Sequence, residues 1–311
     1  MKNITLSIII VNYNTGNLLR ECLKSIVQTC DDIKYEIFVV DNNSFDNSWQ
    51  AANEFPNCKL IKNKSNVGFC VANNQALKKN QSDFILLLNP DTKLTEGAIE
   101  KMIEYLQDNL KIGIMGPKVL YPNGKLQYTV FQFPTVFDII TGYLFLNKLF
   151  PKSRIFNRKN LGYWDHSEIK EVDAVSGCCL LLRRKIYEDI GGLDENLFFI
   201  DDLDFCKRAK NQGWKVVYFP KAIIYHYGAA SPKRTRYAPA YFGRIGKILY
   251  FKKHHSSLAY FFVIGITFAE SVLRIPLDSI FYLLKRNEAS RTRLRAYINV
   301  ILFILKKTHL V

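Results

Sequence analysis

Several short polar clusters in this chain have the residue types needed to hold a phosphorylated, hydroxyl-rich ligand and to move a proton. Asn12-Tyr13-Asn14, Asp41-Asn42-Asn43-Ser44 and Asn89-Pro90-Asp91 each follow an apolar run directly. Asp41 could accept from a base N–H or a ribose hydroxyl, Tyr13 could stack on a nucleobase, and Asn42 and Asn43 offer both donors and acceptors. The plainer alternative is that Asp-Asn-Asn-Ser turns the chain and caps the next helix. Asp91 could hold a divalent ion, since magnesium commonly takes one or two carboxylates plus ligand phosphates. Asn-Pro-Asp is equally good turn chemistry.

A fourth cluster, Asp201-Asp202-Leu203-Asp204, follows Phe198-Phe199-Ile200. Acids crowded beside apolar residues suggest perturbed carboxylates. The alternative is an acidic helix N-terminus facing water. On helical spacing Asp201 and Asp204 share a face while Asp202 points elsewhere, so Asp202 is the candidate to take a proton from an attacking hydroxyl. His226, in Ile-Ile-Tyr-His-Tyr-Gly, is either a satisfied core histidine or a partner for Asp91 in a mixed nitrogen–oxygen metal site. An imidazole would tilt such a site toward Mn2+ over Mg2+.

These clusters need a frame. Buried strands are expected at 4–11, 35–40, 58–61 and 83–88, with helices near 17–29, 69–79 and 97–109. Leu19, Cys22, Leu23 and Ile26, and again Ile99, Met102, Ile103 and Leu106, fall at helical spacing. This alternation predicts βαβ units and a parallel sheet whose ligands lie at the strands' carboxyl ends, where three of the clusters sit. Strands near 172–184, a helix at about 201–212 ended by Gly213, and strands at 215–218 and 222–226 complete the reading. Segment 121–171 shows no clear period and is expected to hold acceptor-side loops.

Composition narrows the classes. Of 311 residues, 48% are hydrophobic, enough for a large core, and the net charge is +15. From residue 231 onward fifteen Lys/Arg face only Glu270, Asp278 and Glu288, so most of the excess lies in the last quarter. Its basic residues are interleaved with aliphatic runs, which fits an anionic membrane surface better than nucleic acid. The run 258–269 is apolar, but Glu270 and Arg274 interrupt it, so helices lying on the membrane or packed on the body are expected rather than a span. Seven cysteines without a CxxC pair or zinc spacing suggest free thiols in a reduced, cytoplasmic setting. Neither GxGxxG after the first strand, nor GxxxxGK[ST], nor GxSxG occurs.

The segments 7–26, 39–48, 66–77, 86–94 and 175–231 resemble, in order, those of family 2 glycosyltransferases with a GT-A fold, and particularly the rhamnosyltransferase-like branch. The resemblance implies an α/β, Rossmann-like, mostly parallel sheet over 1–230; the charge and apolar runs of 231–311 give a basic, apolar helical extension after it. The resemblance also implies that Tyr13, Asp41 and Asn43 hold the nucleoside, that Asn66 and Gly68 line the donor site, and that Asp91 and His226 ligate Mg2+ or Mn2+. Asp202 matches the family's base. Asp201 and Gly177 fall on the acceptor side, with Trp214 packed nearby. Asn89 stands where the metal motif usually begins with Asp, and Asp201 stands where Glu is usual.

The implied reaction is inverting transfer of a sugar, rhamnose by branch, from a dTDP- or UDP-sugar to a glycan or lipid-linked glycan in cell-surface polysaccharide synthesis. The expected location is peripheral, on the cytoplasmic face of the membrane. A metal-dependent nucleotidyltransferase is the competing enzyme class, but the basic glycine-rich loop it would need near the first strand is not seen. A nucleic-acid-binding protein using the basic tail is the competing non-enzyme.

Overall fold

The computed structural model describes residues 5–30, 33–197, 199–228, 237–286 and 288–308. The chain forms strands β1 (Leu6–Asn12), β2 (Tyr35–Asp41), β3 (Cys58–Lys62), β4 (Phe84–Leu88), β5 (Thr92–Leu94), β6 (Ile112–Leu120), β7 (Val130–Phe131), β8 (Lys170–Val172), β9 (Ala174–Val175), β10 (Cys179–Arg183) and β11 (Lys215–His226). Helices α1 (Leu18–Thr29), α2 (Phe69–Leu77), α3 (Ala98–Asp108), α4 (Val136–Tyr143), α5 (Leu146–Leu149), α6 (Arg184–Ile190) and α7 (Asp201–Asn211) alternate with them, and α8 (Tyr237–His254), α9 (Ser257–Lys285) and α10 (Glu288–Thr308) follow.

The large sheet runs β3-β2-β1-β4-β10-β6-β11-β5, with β8 also paired to β11. The β1–β2, β2–β3, β1–β4 and β6–β11 pairs are parallel, and β10 runs antiparallel to β4 and β6. Strands β1 and β4 are buried throughout, as expected of apolar runs covered on both faces. Helix α1 buries Leu19, Cys22, Leu23 and Ile26, and α3 buries Ile99, Met102, Ile103 and Leu106, the rows legible in the sequence. This topology brings the carboxyl ends of β1, β2, β4, β6 and β11, and the amino end of β10, to one edge.

The two strands expected at 215–218 and 222–226 are one strand. Pro220 lies at a register shift between Phe219 and Ile223, so the ladder to β6 resumes beyond it. All seven cysteines are free thiols, six of them buried.

The chain divides into two compact units. The first comprises Met1–Phe133, Arg158–Glu195 and Asp202–Pro232, and contains the large sheet. The second comprises Pro134–Asn157, Asn196–Asp201 and Lys233–Val311. Thus α4 and α5, from the segment read as acceptor-side loops, group with the C-terminal helices. The expected boundary at 230/231, Phe198, and the basic residues Lys233, Arg234 and Arg236 lie outside the described residues.

In the second unit α9 runs unbroken through Glu270 and Arg274. Glu270 accepts from Arg244 Nη2 at 2.6 Å and also pairs with Arg274 one turn away, so the charges that interrupt the sequence satisfy one another. Val263, Thr267 and Ser271 are buried, whereas Leu258, Phe262, Leu273, Leu277, Ile280 and Leu284 are each more than half exposed. Among the described residues, α9 is the one helix long and apolar enough to cross a membrane, with a mean hydropathy of 1.7 in an 18-residue window within Ser257–Leu284.

Candidate active site

The two residues expected to share an ion meet at the sheet edge. Short strand β5 pairs antiparallel with the end of β11, placing Thr92 opposite His226. The Tyr227 N–H donates to the Asp91 carbonyl at 3.0 Å. Pro90 and Asp91 form the turn that their types suggested, with the Thr92 hydroxyl closing onto the Asn89 carbonyl at 2.7 Å. That turn also aims the Asp91 carboxylate at His226: Oδ1 lies 3.1 Å from Nε2, and both side chains are largely buried. The Asn89 side chain lies 3.4 Å from the same nitrogen.

The donor set suits a hard or borderline divalent ion, with one carboxylate, one imidazole and one neutral amide side chain. Among the described residues, no group of three or more His, Cys, Asp and Glu side chains could hold a metal alone. An ion here would therefore complete its shell from a bound ligand and water, as magnesium does on phosphates.

Asp202 reaches the same edge from α7. The Asn89 N–H donates to the Cys178 carbonyl at 2.9 Å, which fixes the Ser176–Cys178 segment beside the Asn89–Asp91 turn. The neighbouring Gly177 N–H donates to Asp202 Oδ2 at 3.2 Å, and the Leu203 N–H donates to Oδ1 at 2.8 Å. Burial pushes the Asp202 carboxyl above its ordinary pKa, opposed by these two N–H groups and by the charge of Lys159. The Cys178 thiol is pushed up to about 12, first by burial and then by the charges of Asp202 and Asp91. A side-chain methyl at Gly177 would meet Asp202 Cβ only at 3.9 Å, so space alone does not demand glycine.

On the β1–β2 side, Asn12 lies opposite Asp41 in the parallel ladder. Its buried amide donates to Asp41 Oδ1 and Ser48 Oγ, each at 2.8 Å. The Ser44 hydroxyl and N–H also donate to Asp41, at 2.6 and 3.1 Å. Three of the carboxylate's roughly four acceptor positions are therefore spent inside the loop, which leaves about one for a ligand. Tyr13 is 38% exposed at this rim. Asn43 is exposed with φ +65°, a left-handed conformation Asn tolerates. Gly68 takes φ +91°, its N–H held by Asn66 Oδ1 at 3.0 Å, and its carbonyl accepts from Asn42 at 3.2 Å.

Trp214 is not brought to this edge. It immediately precedes β11, so the strand's twelve residues, about 3.3 Å each, separate it from His226. There its indole N–H donates to Asp189 at 3.0 Å and its side chain packs on Gly113. Asp201 is the partly exposed first residue of α7. The buried Asp204, which shares its expected face, is bound by Arg208 at 2.8 Å and has a structural role. Three residues that the sequence did not single out for the site belong to it: Asn12, Lys159 and Gln127. Asn12 had a signal in its polar cluster, whereas the other two lie in the segment without periodicity.

The sequence model of the family described as "Glycosyl transferase family 2" matches residues 7–191. An N-acetylglucosaminyl-diphospho-decaprenol L-rhamnosyltransferase of Mycobacterium tuberculosis is 27% identical over 244 residues, covering 74% of this chain and 78% of that protein. The low-salt glycan biosynthesis hexosyltransferase Agl10 of Haloferax volcanii is 25% identical over 212 residues, 67% of this chain and 62% of its own length. The mannosyltransferase PcManGT of Pyrobaculum calidifontis, solved with GDP-Man and Mn2+, has a TM-score of 0.56 at 18% identity, covering 96% of this chain and 86% of that one. These likenesses agree with the GT-A fold expected from the sequence.

Proposed function

Because the chain belongs to glycosyl transferase family 2, we propose that it moves one sugar, with inversion, from a nucleoside-diphosphate sugar to a hydroxyl of a glycan or lipid-linked glycan. The chain is a glycosyltransferase; the sugar, the stereochemistry and the residue roles are our reading. Rhamnose, from a dTDP- or UDP-linked donor, is the sugar favoured by the likeness to the mycobacterial rhamnosyltransferase. The observation that carries the reading is the meeting of Asp91 and His226 at 3.1 Å, on the edge where Gly177 holds Asp202.

In this reading the nucleoside lies at Tyr13, Asp41 and Asn43, beside Asn66 and Gly68. Asp91 and His226 would hold Mg2+ or Mn2+, which when bound would offset charge on the leaving diphosphate. Asp202 takes the proton of the acceptor hydroxyl as it attacks the anomeric carbon in line. Its burial-raised pKa makes it a stronger base than an ordinary carboxylate, and its two N–H donors keep it aimed. Gly177 and Asp201 lie on the acceptor side. The second unit attaches peripherally to the cytoplasmic face of the membrane through the exposed apolar row of α9, near lipid-linked acceptors.

The test is Asp202→Asn. Loss of a general base costs about 10²–10⁴-fold in turnover, while UDP- or dTDP-sugar affinity by calorimetry should stay within about threefold. Wild-type activity should also fall as pH drops through the raised Asp202 pKa, because only the carboxylate accepts a proton. Turnover in Asp202→Asn within tenfold of wild type refutes the assignment.

A further inference from the structure

His226 uses both ring nitrogens, and the second contact is made by a residue with no assigned role. Nδ1 lies 2.8 Å from Oε1 of the buried Gln127. The other end of the same amide is fixed independently, because Gln127 Nε2 lies 3.2 Å from the His226 carbonyl. Only the amide nitrogen can donate to a carbonyl, so Oε1 is the atom presented to the ring and Nδ1 must carry the hydrogen. In the neutral ring the lone pair then sits on Nε2, facing Asp91 Oδ1 at 3.1 Å. Two lone pairs at that distance repel, and a cation between them removes the conflict. Gln127 therefore leaves the imidazole in the form a metal ligand requires.

The fold holds Gln127 firmly. Its N–H donates to the Val119 carbonyl at 2.9 Å, and a tight turn closes behind it, with Tyr121 N–H to Lys125 O and Gly124 N–H to Tyr121 O both at 2.8 Å. Val119 and Leu120 are paired with Ile224 and Tyr225, so the turn is registered against the strand that carries His226. Gly228, at φ +71°, leaves the amide room, because a side chain there would come within 3.3 Å of Nε2.

We infer that Gln127 is a positioning residue that fixes His226 as the Nδ1–H tautomer and so presents Nε2 as a ligand for a divalent cation. The inference rests on the ion-binding reading of Asp91 and His226. A neutral amide also does this without adding a second negative charge beside Asp91, as a glutamate in its place would.

The experiment uses the full chain, ¹⁵N-histidine labelled, with Mn2+ as the probe, in the presence and absence of UDP. Wild-type His226, metal-free and neutral, should show the ¹⁵N pattern of the Nδ1–H tautomer. Gln127→Leu should shift it toward Nε2–H and weaken Mn2+ binding about 10–100-fold by paramagnetic resonance titration. Gln127→Glu, which keeps the acceptor oxygen, should restore the Nδ1–H pattern. An Nε2–H pattern in the wild type, or an unaltered pattern in Gln127→Leu, overturns the inference. If His226→Ala and Asp91→Asn leave Mn2+ binding untouched, the ion-binding reading fails instead, and the tautomer spectra still decide the role of Gln127.

Discussion

Asn12→Asp replaces an amide nitrogen with a second carboxylate oxygen, 2.8 Å from Asp41 Oδ1 in a site where both residues are buried. Two unit charges at that distance repel by about 6 kcal/mol even at an effective dielectric of about 20. The folded variant escapes by binding one proton between the two acids. Drawing that proton from pH 7 onto a carboxyl with an ordinary pKa of about 3.9 costs about 4 kcal/mol, and from pH 5 about 1.5 kcal/mol. The shared proton is held with a folded pKa above the unfolded one. The variant is therefore most stable below the unfolded value and loses stability as pH rises through the folded one. Relative to wild type, the destabilisation should shrink by about 1.4 kcal/mol for each unit of pH lowered between 7 and 5. Urea unfolding followed by tryptophan fluorescence suits the test, since Trp49, Trp164 and Trp214 all lie in the first unit with Asn12. A destabilisation that stays constant from pH 7 to 5, or stays below about 0.5 kcal/mol throughout, refutes the account of Asn12 as the brace of Asp41.

Other outcomes follow from the same geometry. Cys22, Cys178 and Cys206 are buried, with thiols pushed up to about 12 by burial, so Ellman's reagent should label them far more slowly in the native chain than in urea; equal rates would contradict their burial. Gly192→Ala would drive a methyl to 2.2 Å from Asn74 Oδ1, the atom that accepts from Leu193 N–H, so a loss of about 2 kcal/mol or more is expected in chemical denaturation. Leu273→Glu with Leu277→Glu places charge in the exposed row of α9 and should abolish flotation with phosphatidylglycerol-containing vesicles; undiminished flotation would detach that row from membrane binding.

Much of the fold was legible because its signals are local. The apolar runs of β1 and β4 read as strands since sheet burial demands little else of them, and the α1 and α3 rows follow helix geometry. Asp91 and His226 were legible as candidates, though 135 residues separate them. Legibility failed where a distant partner decides. Glu270 and Arg274 read as interrupting the apolar run short of a spanning length, whereas α9 carries them within one long helix, where Arg244, 26 residues away from Glu270, supplies the balancing charge. Trp214 was expected near the site, but the chain passes Gly213 at the opposite end of β11. Gln127 gave no periodic signal, since its role depends on a turn registered against a strand a hundred residues later.

The pairing of β5 with the end of β11 has an evolutionary consequence. Three ladder pairs, Thr92–His226 to Leu94–Ile224, set the spacing of Asp91 and His226 directly. Insertions and deletions in surface loops that leave β6, β10, Gln127 and the Gly177–Asp202 contact in place can reshape what the protein accepts while the bite of the acid and the imidazole stays constant. Lineages built on this clip are free to diversify their loops without rebuilding the centre.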